Sequence, residues 1–322
     1  MQAIRFTNAV FHTSMISGAT GPQVVVWNML KTLRYFPLLL LLGNEALQAQ
    51  EVDPPLPLEY YEDAVKENPR DFTAQLDLGV AFANAGRYED ALEPLNQAVQ
   101  LNPQSAGATH YLGLMYASLQ RFGVAVAYSK KALTLDPGLL EARMTLVNSY
   151  ENLGLYKEMI APLRVIIKSR PGAAHYFSLL GSVYHRLGKF QEAIDPLQKA
   201  ILLNSGNKED AKNLGEALLA EGRYEEAIGP LKKASRQMPE LAEMHYNLGT
   251  AYAKLDRFED AAKSFAQAIR LSPGFAKGYA NLGWCHEKLG EKTLAVKNYR
   301  AALDIKPDLK NVKRNLKLLL KK

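Results

Sequence analysis

Apolar residues in this chain fall into paired helical stripes separated by short polar turns. Between Ala242 and Gly274 the sequence reads AEMHYNLGTAYAKLDRFEDAAKSFAQAIRLSPG. Leu248, Gly249 and Tyr252 lie at i, i+1 and i+4, and Ala261, Phe265 and Ala268 at i, i+4 and i+7. Each set makes one apolar stripe on a helix, with small residues where two backbones come close. Asp256–Phe258 supplies the turn. Ser272 and Pro273 end the second helix, because the residue before a proline is pushed out of the α region. One such pair cannot cover its own apolar face and needs neighbours stacked on both sides.

The pattern recurs at a step of 34 residues, marked by Pro69, Pro103, Pro137, Pro171, Pro239, Pro273 and Pro307, with Ser205 in the missing place. A Leu-Gly pair returns at Leu78, Leu112, Leu180, Leu214, Leu248 and Leu282. A first alanine returns at Ala91, Ala125, Ala193, Ala227, Ala261 and Ala295, and a second at Ala98, Ala132, Ala200, Ala234, Ala268 and Ala302. This spacing resembles the tetratricopeptide repeat, with its W-x2-L-G-x2-Y, A-x3-F and closing A and P. The resemblance covers residues 71–307 as seven repeats beginning at Phe72, Ala106, Leu140, Ala174, Lys208, Ala242 and Ala276. It implies an all-α fold, a right-handed superhelical solenoid of antiparallel helix pairs whose first helices line a concave groove.

The flanks of the array read differently. Residues 1–28 show no period. From Met29, basic Lys31 and Arg34 precede an apolar run over Tyr35–Gly43 and small residues at 46–50, the order of a secretory signal peptide. Residues 1–49 are therefore read as a leader whose signal starts at Met29 and is cut after Ala49. That gives an exported, periplasmic or extracellular protein, with residues 1–28 an over-extended start; a non-functional leader would leave it cytoplasmic. Residues 50–57 form a proline-rich extended linker. Residues 58–70 hold the second half of a repeat and act as an N-terminal cap. Residues 308–322 form a basic C-terminal capping helix, for which contact with an anionic membrane is the alternative.

Two irregularities carry expectations. Repeat three enlarges three small positions, with Val147 for the glycine, Met159 for the first alanine and Ile166 for the second. Overpacking one such contact typically costs ~1–3 kcal/mol, so the helices are expected to move apart there. Pro94, Pro162, Pro196 and Pro230 share a phase within the second helices, and that phase predicts a tolerated place near the helix start with a mild bend.

Charge narrows the function. The formal net charge is +6, but it sits at the ends. Residues 1–49 carry a net of +2 and residues 306–322 a net of +6, leaving about −2 on the repeats. A nucleic-acid partner is not expected from such a body. The one cysteine, Cys285, lies beside Trp284 in a repeat helix and reads as a packed apolar residue. There is no phosphate loop, zinc spacing or nucleophile elbow, and no two histidines stand at i, i+3 or i+4. No catalytic residue, metal or cofactor is assigned, and residues 58 onward are used by the repeat.

Binding residues are placed by repeat phase. Asn213, Asn247, Asn281 and Asn315 stand 34 apart in the first helices. An amide donates and accepts at once, so it can pair both backbone groups of an extended peptide. The row is similar to the asparagine ladder that lines the groove of the O-GlcNAc transferase superhelix. The competing reading is that each asparagine satisfies local backbone. Tyr246 and Trp284 are candidate aromatic anchors. Lys212, Lys277, Arg314 and His185 complete the groove set, and Ser182 and Glu216 share its phase. The carboxylate clamp of a subset of the family is not supplied by Thr109, His110 and Leu114, nor by Lys212 with Glu216. The expected function is a non-catalytic scaffold for a protein or extended peptide. The alternative is a periplasmic accessory subunit of an envelope, secretion or glycan-modifying complex.

Overall fold

The computed structural model describes residues 56–204 and 206–321. The leader with its signal segment, residues 50–55 of the linker and Ser205 lie outside the described residues. Among those described the chain is built of sixteen α-helices and no strand. Helix α1 (Leu58–Glu67) comes first, without a pairing helix before it among the described residues. Seven pairs follow: α2 (Phe72–Asn84) and α3 (Leu92–Leu101), α4 (Ala106–Ser118) and α5 (Phe122–Leu135), α6 (Leu140–Asn152) and α7 (Tyr156–Ser169), α8 (Ala174–Arg186) and α9 (Phe190–Leu203), α10 (Lys208–Ala220) and α11 (Tyr224–Gln237), α12 (Ala242–Lys254) and α13 (Phe258–Leu271), α14 (Ala276–Lys288) and α15 (Lys292–Ile305). Helix α16 (Lys310–Lys321) closes the array.

The chain divides into two compact units, Met1–Leu155 and Tyr156–Lys322. The boundary falls in the turn of repeat three, so α6 belongs to the first unit and α7 to the second. The three enlarged residues of that repeat are fully sequestered, Val147 in α6 and Met159 and Ile166 in α7. In the first unit, Leu78, Phe82, Leu95, Leu112 and Met115 form a core onto which α1 lays Leu58, Tyr61 and Val65. In the second, Tyr299, Ala302 and Val312 form a core with Leu316 and Leu319 of α16 packed on it.

Small residues set the close approach within each pair. At Gly79 an added Cβ would stand 2.5 Å from Leu95 Cγ, and at Gly215 it would stand 2.6 Å from Leu231 Cδ2. All twelve repeat alanines named above are 0% exposed. The first helix of each pair ends in a tight reversal whose last N–H reaches back five residues, as in Arg121 N to Tyr116 O at 2.8 Å and Arg257 N to Tyr252 O at 3.0 Å. The reversal needs a residue in the left-handed region. Five repeats place glycine there, whereas repeats two and six place Gln120 (φ 59°) and Asp256 (φ 57°).

The prolines sit deeper than their phase predicted. Pro162, Pro196 and Pro230 are each the seventh residue of a 14-residue helix, not part of its start. Each lacks an N–H for the carbonyl four residues back. The neighbouring Leu163, Leu197 and Leu231 are fully buried, and packing of that face holds the helix where hydrogen bonding alone is weakened. Pro94 lies in the first turn of the shorter α3.

Candidate functional site

The first helices of the second unit carry a connected polar row. Its asparagines occupy the sixth position of α8's successors α10, α12, α14 and α16. Each donates through Nδ2 to a side chain outside its own helix. Asn213 reaches Ser182 Oγ at 3.3 Å, Asn247 reaches Glu216 Oε1 at 3.4 Å, Asn281 reaches the Tyr246 hydroxyl at 3.1 Å, and Asn315 reaches the Tyr299 hydroxyl at 3.5 Å. For the first three the partner lies on the preceding first helix. The amides thus join neighbouring helices and do not serve local backbone. Their Oδ1 atoms accept no hydrogen bond among the described residues, so each keeps an acceptor for a ligand N–H.

Charged and buried groups reinforce the row. Glu216 accepts from Asn247 with one oxygen and meets His185 Nε2 at 3.0 Å with the other, so three successive first helices are linked through one carboxylate. Deeper in the same unit, Ser178 donates to Asp210 at 2.5 Å and Asn207 donates to Ser178 at 2.9 Å. Asp210 is only 1% exposed. Burial raises its carboxyl above the usual range, opposed by the bond from Ser178. Asp210 and Ser178 were not picked out by repeat phase. Their signal is a polar pair 32 residues apart, two short of the 34-residue repeat step, which only stacking makes visible.

The structure gathers the proposed residues unevenly. Tyr246, Asn247 and Lys277 line a groove of about 400 Å³ closed on one side by Phe275. Asn281, Trp284 and Asn315 line a second of about 710 Å³, with Lys306 and Lys310 at its edge. Lys212 is drawn to Glu209 of its own helix at 3.6 Å, and His185 is held by Glu216. Arg314 is exposed on α16 and lines neither groove. The two aromatic anchors are partly structural. Tyr246 packs against Phe275 and Phe265 with centroids 4.8 Å and 5.4 Å away, and Trp284 meets Phe258 edge-on at 5.3 Å. Cys285 is fully buried, which pushes its thiol up to about 12. Among the described residues no cluster of three or more His, Cys, Asp or Glu could hold a metal ion, and no helix is long and apolar enough to cross a membrane.

Comparison with known proteins places this geometry. Tetratricopeptide repeat patterns match residues 40–106 and 246–309, and a further one matches 110–139 and 174–207. A TPR repeat pattern matches 215–256. The first match begins at residue 40, within the segment read as a leader. No curated protein matches the chain. Among solved structures, the crystal structure of MamA is 25% identical and covers 50% of this chain and 95% of its own, with a TM-score of 0.47. MamA residues 41 to the end from Desulfovibrio magneticus RS-1 is 18% identical, covering 53% and 96%, at 0.47. The structure of Naa15/Naa10 bound to HypK-THB is 18% identical, covers 80% of this chain and 41% of that one, and gives a TM-score of 0.53. The matched patterns together span more than half of the sequence and coincide with the helix pairs described above, and the chain belongs to the tetratricopeptide repeat family.

Proposed function

We propose that this protein is a non-catalytic scaffold that holds a protein or extended peptide along the first helices of its second unit. The observation that carries this reading is the asparagine row. Its amide nitrogens are committed to adjacent helices, which fixes the side chains, while its oxygens remain free beside Tyr246 and Trp284. Pre-oriented acceptors next to aromatic surface suit recognition of a backbone N–H and a neighbouring apolar side chain. The basic start, apolar run and small residues of positions 31–50 favour a site of action outside the cytoplasm.

The test is affinity capture from the native cell with the full chain, compared with an Asn247→Ala/Asn281→Ala/Trp284→Ala variant. The variant is expected to lose the captured protein while its helical circular dichroism stays unchanged. Undiminished capture by a folded variant would remove the groove from consideration. Recovery of the partner in fixed stoichiometry from untreated cells would favour the accessory-subunit reading over an exchanging scaffold.

A further inference from the structure

Acids and bases are shared unevenly between the two units. Residues 56–155 carry seven Lys and Arg against twelve Asp and Glu, a net of −5, whereas residues 156–321 carry twenty-eight against eighteen, a net of +10. Most of that excess lies in α14, α15 and α16, since residues 276–321 hold eleven cations and four acids, a net of +7. Earlier in the second unit the turn cations are neutralised locally, as in Lys189 with Glu192, Arg223 with Glu226 and Arg257 with Asp260. None of the eleven cations of 276–321 forms an ion pair among the described residues. Two of the four acids are already committed. Glu287 accepts from the Tyr299 hydroxyl at 2.6 Å, and Glu291 meets His286 Nδ1 at 2.5 Å.

Three of those cations reach the candidate grooves. Lys306 and Lys310, both exposed, stand at the groove lined by Asn281, Trp284 and Asn315, where Asp308 is the single acid. Lys277, also exposed, lies beside Tyr246 and Asn247, with Glu243 as the acid there. Unpaired ammonium groups set a positive field along this surface. On the same surface the amide nitrogens of Asn247, Asn281 and Asn315 are spent on neighbouring helices, which leaves their oxygens as acceptors.

We infer that the occupant of this groove is an extended acidic segment of a partner protein. Its glutamate or aspartate side chains meet Lys306 and Lys310, an apolar side chain lies on Trp284, and backbone N–H groups donate to the asparagine oxygens. The inference rests on the scaffold reading of the same groove and adds the chemistry of its partner. Charge favours this partner at α14–α16 and opposes it on the first unit, whose own net charge is negative. An acidic peptide also fits the donor and acceptor pattern better than another polyanion. A nucleic-acid strand carries a charge at every phosphate and no N–H along its backbone, so the amide oxygens and Asp308 would be set against it. A flat lipid surface cannot follow a groove between helices to reach Trp284. Lysines at the rim speed encounter and select the sign of the partner more than they add contact energy.

The experiment titrates the full chain into peptides of about twelve residues repeating Glu-Glu-Val, Gln-Gln-Val or Lys-Lys-Val, read by fluorescence anisotropy. Valine favours the extended form. Each peptide carries an N-terminal dye and an amidated C-terminus, so the repeat side chains alone set the sign of its charge. At low salt the glutamate peptide is expected to bind at least about tenfold more tightly than the glutamine peptide, and the lysine peptide not at all. The first difference should vanish near 1 M salt, where the screening length falls to about 3 Å. Lys306→Gln/Lys310→Gln should weaken the glutamate peptide about tenfold and leave the glutamine peptide unchanged. Lys292→Gln/Lys297→Gln removes the same charge from α15 outside both grooves and should change it less than about twofold. Helical circular dichroism checks that each variant folds. Equal binding of the glutamate and glutamine peptides, or equal losses in the two lysine variants, would overturn the inference and leave the scaffold reading standing. Absence of glutamate-peptide binding would also overturn it, whether or not an oligothymidylate or phosphatidylglycerol vesicles bind through Lys306 and Lys310 instead. The scaffold reading fails separately, if the folded Asn247→Ala/Asn281→Ala/Trp284→Ala variant still captures its partner.

Discussion

Placing a single methyl group at Gly79 tests how closely the helices of a pair approach. In Gly79→Ala the new Cβ would stand 2.5 Å from Leu95 Cγ and 2.7 Å from Leu95 Cδ2, with Leu95 N at 3.4 Å. Carbon atoms in good contact sit at about 3.5–4.0 Å, and Leu95 is 0% exposed with nowhere to swing. Alanine is favoured over glycine inside a helix by about 1 kcal/mol, while overpacking costs about 1–3 kcal/mol. The net expectation is a loss of up to about 2 kcal/mol. Gly123→Ala in α5 is the control, because nothing lies within 4 Å of the added Cβ. It should gain up to about 0.5 kcal/mol, less than mid-helix because it lies in the first turn. Both positions belong to the first unit, so urea unfolding followed by helical circular dichroism reads the same transition for each. Leu95→Ala alone should cost about 2–5 kcal/mol. It also removes the two clashing atoms, so the double variant should fall short of the summed costs by the overpacking cost, about 1–3 kcal/mol. If Gly79→Ala raised the midpoint as Gly123→Ala does, or if the double-variant costs simply added, the close-approach argument would fail.

Three further outcomes follow from individual residues. His110 is buried in α4 and its imidazole is pushed from 6.5 down to about 4 by that burial, against the field of Glu141. Between those values the unfolded chain holds the extra proton, so stability is complete above pH 6.5 and is lost as pH falls toward 4. The size is on the order of a few kcal/mol, and a folded His110→Gln variant whose acid limb is as steep as the parent's would refute the assignment. Gln120→Gly relieves a left-handed φ of 59° and should raise the midpoint of the first unit by about 0.5–1 kcal/mol, read by the same urea titration. Cys285, fully buried and with its thiol pushed up to about 12, should resist a thiol reagent at neutral pH and react at least about a hundredfold faster in denaturant; rapid labelling of the folded protein would show that the helix around it opens.

The sequence alone determined the all-α repeat fold, because the 34-residue step is a property of neighbouring residues. Leu248, Gly249, Ala261 and Phe265 state their helix faces by spacing, and glycine or alanine can only be required where backbones meet. Phase also placed Asn213, Asn247, Asn281 and Asn315 on equivalent surfaces. It did not show what those side chains touch. The partner of Asn247 lies 31 residues away and that of Asn281 lies 35 away, so their hydrogen bonds exist only once helices stack. The same holds for Ser178 with Asp210 and for the loss of His185 to Glu216, whereas Lys212 is lost to Glu209 within its own helix. The prolines mark the limit from the other side: local rules put them near a helix start, and burial of the adjacent leucines keeps the helix intact around them. Periodicity is local and is written in the chain, whereas the partner of a polar side chain that bridges two helices lies up to a full repeat distant, and only the tertiary structure decided it.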